Sequence, residues 1–449
     1  MSVIFWFRRD LRTQDNEALI VASNAAKADG SKLFPLFAFP PTFSDLSPIR
    51  QHSLVESVGS LGNSLPASIS IAQGDVPKSV SGFAISKGAR KVFATRAFDT
   101  HGMLEQAEVA AMLFEAGIAL ELVGSNYAVE PGTVRKDDGT PLKVYTPFYK
   151  RWAAMPISQP MKLEVSSVSW GEASGELPTA DGTPPFQVVA SEQFALETLA
   201  KFKNRALSNY AENRNRADLS GTSPLSHALA HGEIHPRTIL SQLGSSASEE
   251  VFRKEIAWRE FYADVLFHNP HTYDEYLESR FANMRYDSPD GNSKLQAWYD
   301  GMTGYPMVDA AMRQLIQTGW MHNRARMIVA SFLVKDLHLE WQIGAKWFER
   351  WLTDFDPASN SHGWQWTAGC GTDASPYYRV FNPVLQGYKF DPNGDYVRKY
   401  IPELRHISGS DVHEPWKLID GLANGYPAPI VDHHIERDEA LQRLEEIKN

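Results

Sequence analysis

Short apolar runs rich in β-branched and aromatic residues punctuate the first 125 positions. Val3–Phe7, Leu33–Phe39, Ser68–Ala72, Lys91–Thr95 and Ala119–Val123 each have the length of a strand, and helix-length stretches separate them. One such stretch, Leu104–Ala116, closes at Gly117, where a left-handed cap is expected. This alternation predicts a parallel sheet flanked by helices, a Rossmann-like α/β domain. The first strand-to-helix turn, Phe7 to Asp15, carries no glycine-rich phosphate loop, which argues against a standard dinucleotide site there.

Over residues 126–194 the periodicity weakens, and Pro, Gly, Ser and Thr become frequent. That composition predicts a connector, with Thr146–Met155 its best helical segment. From residue 195 the period becomes that of amphipathic helices: Glu249–Phe267, Met307–Gln317, Arg324–Leu337 and Ile343–Leu352. The expected organisation is an α/β domain (1–125), a connector (126–194) and an all-α domain (195–449).

Composition is that of a globular protein, 43% hydrophobic and 22% charged. Most of the twelve tryptophans crowd between Trp258 and Trp416. Packing accounts for most of them; the sharper alternative is that some carry electrons or stack on a ligand. The formal net charge of −10 is uneven: residues 201–410 hold 23 Lys+Arg against 24 Asp+Glu, and the last 39 residues hold 4 against 9. Binding to phosphates needs a local basic surface and not a basic protein, so charge neither supports nor excludes DNA. The single cysteine, Cys370, rules out an intrachain disulfide and a cysteine-based zinc site. No apolar run has the roughly 20 residues of a membrane span, and the apolar start is too short for a signal peptide. A cytoplasmic protein is expected.

Three clusters carry candidate chemistry. In the first, Glu255, Trp258, Arg259 and Tyr262 fall on one helical face, where an acid, an indole and a guanidinium could stack on a base and hold a phosphate. An ordinary ion pair beside a half-buried Trp is the simpler account of that segment alone. In the second, Gly319–Met327, Asn323 stands where it could cap the following helix. Arg324 and Arg326 cannot share a face and address different partners; Arg326 begins an apolar run and needs a carboxylate. The third, Asp354–Trp366, reads as a loop that concentrates two acids, an amide and two tryptophans. Asp354 and Asp356 could bind a metal, but no convincing set of further ligands accompanies them.

These clusters occur in order with Phe5-Trp-Phe-Arg-Arg-Asp-Leu-Arg, Gly221-Thr-Ser-Pro-Leu-Ser226, Trp258-Arg-Glu-Phe-Tyr, Thr303-Gly-Tyr-Pro, Gly363-Trp-Gln-Trp and Thr372-Asp-Ala-Ser-Pro-Tyr-Tyr-Arg379-Val-Phe-Asn-Pro. Together they span nearly the whole chain and resemble the photolyase/cryptochrome family, most of all its class I cyclobutane pyrimidine dimer photolyases. The resemblance implies an N-terminal antenna domain and a helical FAD-binding domain. It places Tyr210, Thr222, Ser223, Pro224, Leu225, Ser226, Phe252, Arg259, Arg326, Asp354, Asp356 and Asn360 around FAD, with Arg326 paired to Asp354 and Asn360 opposite flavin N5. Glu255, Trp258, Asn323, Met327 and Trp366 match the dimer pocket, the two tryptophans stacking on the flipped lesion. Arg214, Arg324 and Arg379 match positions that grip DNA.

The implied chemistry is light-driven electron donation from FADH⁻ to the dimer, bond cleavage and return of the electron, with no metal. Trp364 and Trp341 match two members of the chain that photoreduces flavin. Tyr286 is the candidate for the outermost member, the alternatives being that the path ends at Trp341 or leaves by another aromatic residue. Trp298 matches a structural tryptophan. A second, antenna chromophore is left open among a folate, a deazaflavin, another flavin or none, because the Pro40–Leu46 loop is short and divergent and does not match the acid and Lys/Cys contacts of folate-binding relatives. The expected partner is UV-damaged DNA, with no membrane and no obligate protein partner, for a chain acting as a monomer. The rival reading is a cryptochrome photoreceptor without repair activity. The complete pocket set, Asn360 and the lack of a long C-terminal tail weigh against it. A (6-4) photolyase would show a histidine pair near the lesion and a different cluster at His322-Asn323-Arg324.

Overall fold

The five apolar runs pair side by side. In the computed structural model, which describes residues 2–372 and 378–448, Ser2–Phe7 (β1), Lys32–Phe39 (β2), Ser70–Gln73 (β3), Ala89–Thr95 (β4) and Ala119–Val123 (β5) form one parallel sheet. The strand order is β3-β2-β1-β4-β5, with Val3 beside Leu33 and Phe5 beside Phe93. Val3, Phe5 and Phe7 pack on one face with Leu19, Ala22 and Val58; Ile4 and Trp6 pack on the other with Val80, Val109 and Leu113. Burial on both faces is why these strands read as continuous apolar runs rather than as alternations. Gly117 has φ +72°, the left-handed cap expected after Thr100–Glu115.

Strand order reverses between β1 and β4, the usual place for a ligand crevice in an open α/β sheet. Here buried Asp10 accepts from the Arg8 N–H, from Asn16 Nδ2 and, at 2.6 Å, from Thr95 Oγ1. The connector adds a second feature. Leu33 N–H donates to Ser169 O and Ile71 N–H to Ser174 O, both at 2.8 Å, so residues 169–174 pair with backbone that the strands leave open. A Cβ on Gly171 would stand 2.2 Å from the Phe34 ring, which restricts that position to glycine.

The chain divides into two compact units: Met1–Arg205 with Ser223–Pro270 and Thr353–Asp356, and Ala206–Thr222 with His271–Leu352 and Pro357–Asn449. The first contains the sheet and the long helix Ala247–His268, opened by a Ser246/Glu249 capping box. The second is helical, built on Pro306–Thr318, Asn323–Lys335, Trp341–Trp351 and Pro357–Ala368. Among the described residues beyond 195 there is no strand. The Thr303-Gly-Tyr-Pro motif is a clasp at a helix start. Asp309 accepts from Thr303 N, Thr303 Oγ1 and Gly304 N, and Gly304 lies at φ +79° against Ala428.

Two expectations are corrected. The Asp354–Trp366 cluster is not a loop throughout: from Pro357 it is helix, with Asn360 and Trp364 one turn apart. Asn323 does not cap its helix. Buried His322 does, its Nδ1 accepting from Arg324 N at 3.1 Å. Burial and the charge of Arg324 push the His322 pKa down to about 4, so the ring is neutral and able to accept. The Asp373–Tyr377 part of the last motif lies outside the described residues. No helix among them is long and apolar enough to cross a membrane.

Candidate functional site

In the first unit, the face expected to join Glu255, Trp258, Arg259 and Tyr262 divides in two. Trp258, half-buried, stacks on Tyr145 with ring centroids 3.7 Å apart and planes 7° from parallel, and Tyr262 leans on it at 5.4 Å. Tyr145 is locked by a 2.7 Å hydrogen bond from its hydroxyl to Lys254 O, so one face of the indole is covered by a fixed ring. Glu255 is half-buried one turn before Arg259. Arg259 turns the other way, donating to Asn126 O and Leu229 O, lying over the Tyr127 ring and approaching Asp356 at 3.8 Å. Two residues assigned to the cofactor by resemblance, Arg259 and Asp356, are thus brought together. Arg9 completes the group at 3.1 Å from Asp356.

Sequence reasoning missed Arg9 as a functional candidate, although it lies in the first quoted motif. It also missed Tyr145 and Glu260. Glu260 follows Arg259 and is buried, accepting from Ala128 N, Val129 N and Trp152 Nε1. Burial pushes its pKa up to about 7 against those donors. It ties the connector to the long helix, with both of its oxygens engaged by the fold. Phe252 is core, packed edge-on to Phe202. Ser223–Ser226 leads into the short helix Ser226–His231, with Leu225 buried and Pro224 exposed. Asp354 is buried.

In the second unit, Tyr210 is buried, and a Cβ on Gly221, next to Thr222, would meet Asn213 at 2.7 Å. Asn360 Nδ2 donates to Ala345 O at 3.1 Å, while its Oδ1 is buried without a partner among the described residues. A buried amide oxygen lacking a donor is a place for a ligand N–H. The N5–H of a reduced flavin is such a donor, so the residue fits the cofactor implied by the sequence. Trp366 is half-buried, with the guanidinium of exposed Arg379 4.5 Å over its ring. Arg324 donates to Asn215 Oδ1 at 2.8 Å and covers Phe390, whereas Arg326 donates to Met321 O, so the two do address different partners. Arg326 is half-buried rather than buried; Met327 is half-buried and Asn323 exposed. The Arg214 guanidinium lies over the Tyr210 ring, 5.9 Å from its centroid.

The electron-transfer candidates also lie in this unit. Trp364 and Trp341 are buried, and both indole N–H groups are without a partner among the described residues. Trp364 packs so tightly on Gly344 that a Cβ there would stand 2.0 Å from its ring, and Gly344 is one turn from Trp341. Trp298 is fully buried, with its N–H bonded to Val329 O, the structural role expected of it. Gln365, between the two tryptophans of its motif, is also structural: it accepts from Leu277 N and donates to Thr272 O and Glu275 O. Among the described residues no cluster of His, Cys, Asp and Glu could hold a metal.

Residues 3–164 match the family model described as DNA photolyase, and 252–446 match that of the FAD binding domain of DNA photolyase. A deoxyribodipyrimidine photo-lyase of Alkalihalophilus pseudofirmus is 37% identical over 97% of this chain and 96% of its own length; that of Escherichia coli is 34% identical over 98% of each. Among solved structures, a class III photolyase from Agrobacterium tumefaciens superposes with a TM-score of 0.90 at 36% identity, covering all of this chain and 98% of its own. A Synechocystis cryptochrome does so with 0.88 at 27% identity, covering 98% of each chain. The chain belongs to the DNA photolyase family and carries its FAD-binding domain.

Proposed function

We propose that this protein repairs UV-damaged DNA by splitting cyclobutane pyrimidine dimers in light, using FAD. The observation that carries the reading is the orphaned amide oxygen of Asn360, on the same helix as Trp364 and Trp366, in a chain whose full-length relatives are photo-lyases. FAD is held by Tyr210, Thr222–Ser226, Arg259, Arg326, Asp354, Asp356 and Asn360, with Phe252 supporting the site from the core. When bound in its reduced form, FAD supplies the electron that opens the dimer after light is absorbed. The protein's part is to bind, orient and stabilise. Trp258 and Trp366 offer stacking surfaces to the lesion, and each has its other side supported, by Tyr145 and by Arg379 respectively. Glu255 and Asn323 hydrogen-bond the pyrimidine edges, steadying charge that develops there, and Met327 lines the pocket. Arg214, Arg324 and Arg379 hold phosphates. Trp364 and Trp341 carry electrons to oxidised FAD from an outer aromatic donor, for which the family resemblance suggests Tyr286.

We take residues 1–125 as the antenna domain, 126–194 as the connector and 195–449 as the catalytic domain. The protein acts as a cytoplasmic monomer without an obligate protein partner, which sedimentation of the purified chain checks. A photolyase of Sulfolobus tokodaii was solved with two FAD molecules, the second implicated in light harvesting; whether this chain takes a folate, a deazaflavin, another flavin or nothing is read from its absorbance. The deciding experiment supplies reduced, FAD-containing protein with an oligonucleotide bearing one thymine dimer. Light-dependent return of intact thymines supports repair. Binding of FAD with no repair would turn the reading to a photoreceptor.

A further inference from the structure

Oxidising a buried indole leaves a positive charge in a medium of low polarity, which is costly unless the charge moves on. Neither Trp341 nor Trp364 has a partner for its N–H among the described residues, so neither has an acceptor there to which it could shed a proton. The path needs an outer donor that gives up an electron and a proton together.

The ring in edge contact with Trp341 is not Tyr286 but Tyr276, with centroids 6.3 Å apart and planes at 85°. Tyr286 lies behind it, stacked at 6.3 Å and 15°, and its hydroxyl hydrogen-bonds that of Tyr276. The Tyr276 hydroxyl donates to Glu340 Oε1 at 3.3 Å. Glu340 is exposed and immediately precedes the helix that begins at Trp341, so one turn of chain carries both an electron relay and a proton acceptor. Gln342 also bonds the phenol, and Cys370, a buried thiol, is the other titratable group facing it. A second aromatic route leaves Trp364 through Trp298, Tyr299 and Trp347, but among the described residues burial is the one influence on the Tyr299 phenol and no carboxylate faces it.

We propose that Tyr276, with Glu340 as its proton acceptor, is the terminal donor of the Trp364–Trp341 path, a reading that rests on those two tryptophans serving FAD photoreduction. In the step, oxidised Trp341 takes one electron from Tyr276. The phenolic O–H bond breaks, its proton passes to the Glu340 carboxylate, and a neutral phenoxyl radical remains. The electron has gone, through Trp341 and Trp364, to FAD. A thiol reductant in solution returns a hydrogen atom to the phenoxyl oxygen, and Glu340 releases its proton to water.

The test uses the oxidised, FAD-containing protein under blue light with ring-deuterated tyrosine, followed by time-resolved electron paramagnetic resonance and repeated in D2O. The expected result is a long-lived tyrosyl signal, absent from Tyr276→Phe and retained in Tyr286→Phe. In surface variant Glu340→Gln the signal forms more slowly, on the order of a hundredfold, and loses its solvent isotope effect. A tyrosyl signal persisting in Tyr276→Phe, or only tryptophanyl radicals in the unaltered protein, overturns the proposal. If Tyr276→Phe does not fold with FAD, an unchanged rate and isotope effect in Glu340→Gln overturns it alone. Trp364→Phe is the control: photoreduction at the unaltered rate there defeats the underlying reading of the path instead.

Discussion

Glu260 in the first unit and Asn360 in the second both place side-chain oxygens out of reach of solvent, and they use them in opposite ways. Glu260 meets three N–H donors from the connector, two backbone and one the indole of Trp152; Asn360 secures its own N–H and leaves its carbonyl oxygen unmet among the described residues. Both follow from the rule that buried polar groups need partners. The contrast teaches how to tell scaffold from site within one motif set. A buried carboxylate with both oxygens engaged by the fold holds the fold, whereas a buried amide oxygen left unmet beside the candidate cofactor residues is a place for a ligand donor.

Substitution should break the contrast most sharply at Glu260. Glu260→Ala strands three buried donors and is expected to lower stability by about 3–5 kcal/mol, measured by urea unfolding of the FAD-containing protein. A loss below that of a surface substitution would end its role as a tie. Glu255→Ala comes next: removing one hydrogen-bonding group from a lesion pocket should weaken lesion affinity or repair yield by about 1–3 kcal/mol while FAD content stays unchanged. Equal affinity and yield would remove Glu255 from the pocket. Asn360→Ala loses one hydrogen bond to Ala345 O and should cost about 1 kcal/mol in the protein stripped of FAD. Its larger effect is expected on FAD affinity and the visible spectrum, and if both were unaltered the unmet oxygen would have no ligand.

A pH series sharpens the same comparison. Burial raises the folded-state pKa of Glu260 from 4.5 to about 7, so across that window the folded protein binds more protons than the unfolded chain. Stability from this group is fully present below its unfolded pKa and is lost as pH rises through 7. Glu260→Gln should flatten that part of the stability profile. Asp309, pushed up to about 6 by burial, leaves a slope of the same sign. The smallest expected effect concerns DNA. Each of Arg214→Ala, Arg324→Ala and Arg379→Ala should reduce the slope of log affinity against log salt by about 0.9 if it removes one phosphate contact. An unaltered slope assigns that arginine to structure.

Much of the fold was legible because its dominant signal is periodic. The doubly buried sheet and the long amphipathic helices stand out from their apolar spacing alone. Pro357–Ala368 did not, because it is buried nearly all round with Ser361, His362, Gln365 and Thr367 among its inward residues, so no apolar stripe marks it as a helix. His322 was passed over as a cap because an imidazole serves there only when neutral, a state created by burial that sequence does not display. At the site, residue types on one helix could be grouped, but partners distant in sequence could not: Tyr145 behind Trp258, Arg9 beside Asp356, and Tyr276 ahead of Tyr286 each depend on tertiary placement. The motifs shared across the family made the family plain, while the side of the helix to which Arg259 turns needed coordinates.

The 3.1 Å pair between Arg9 and Asp356 joins two residues 347 positions apart, the second made long after the first. The unit that contains the sheet also includes Ser223–Pro270 and Thr353–Asp356, so it cannot be finished when residue 205 emerges. The sheet is made of local strand–helix repeats and can assemble early, but the guanidinium of Arg9 must wait, hydrated, until most of the chain has been translated. A nascent chain halted before Asp356 would hold an assembled sheet beside a cation still lacking that acid.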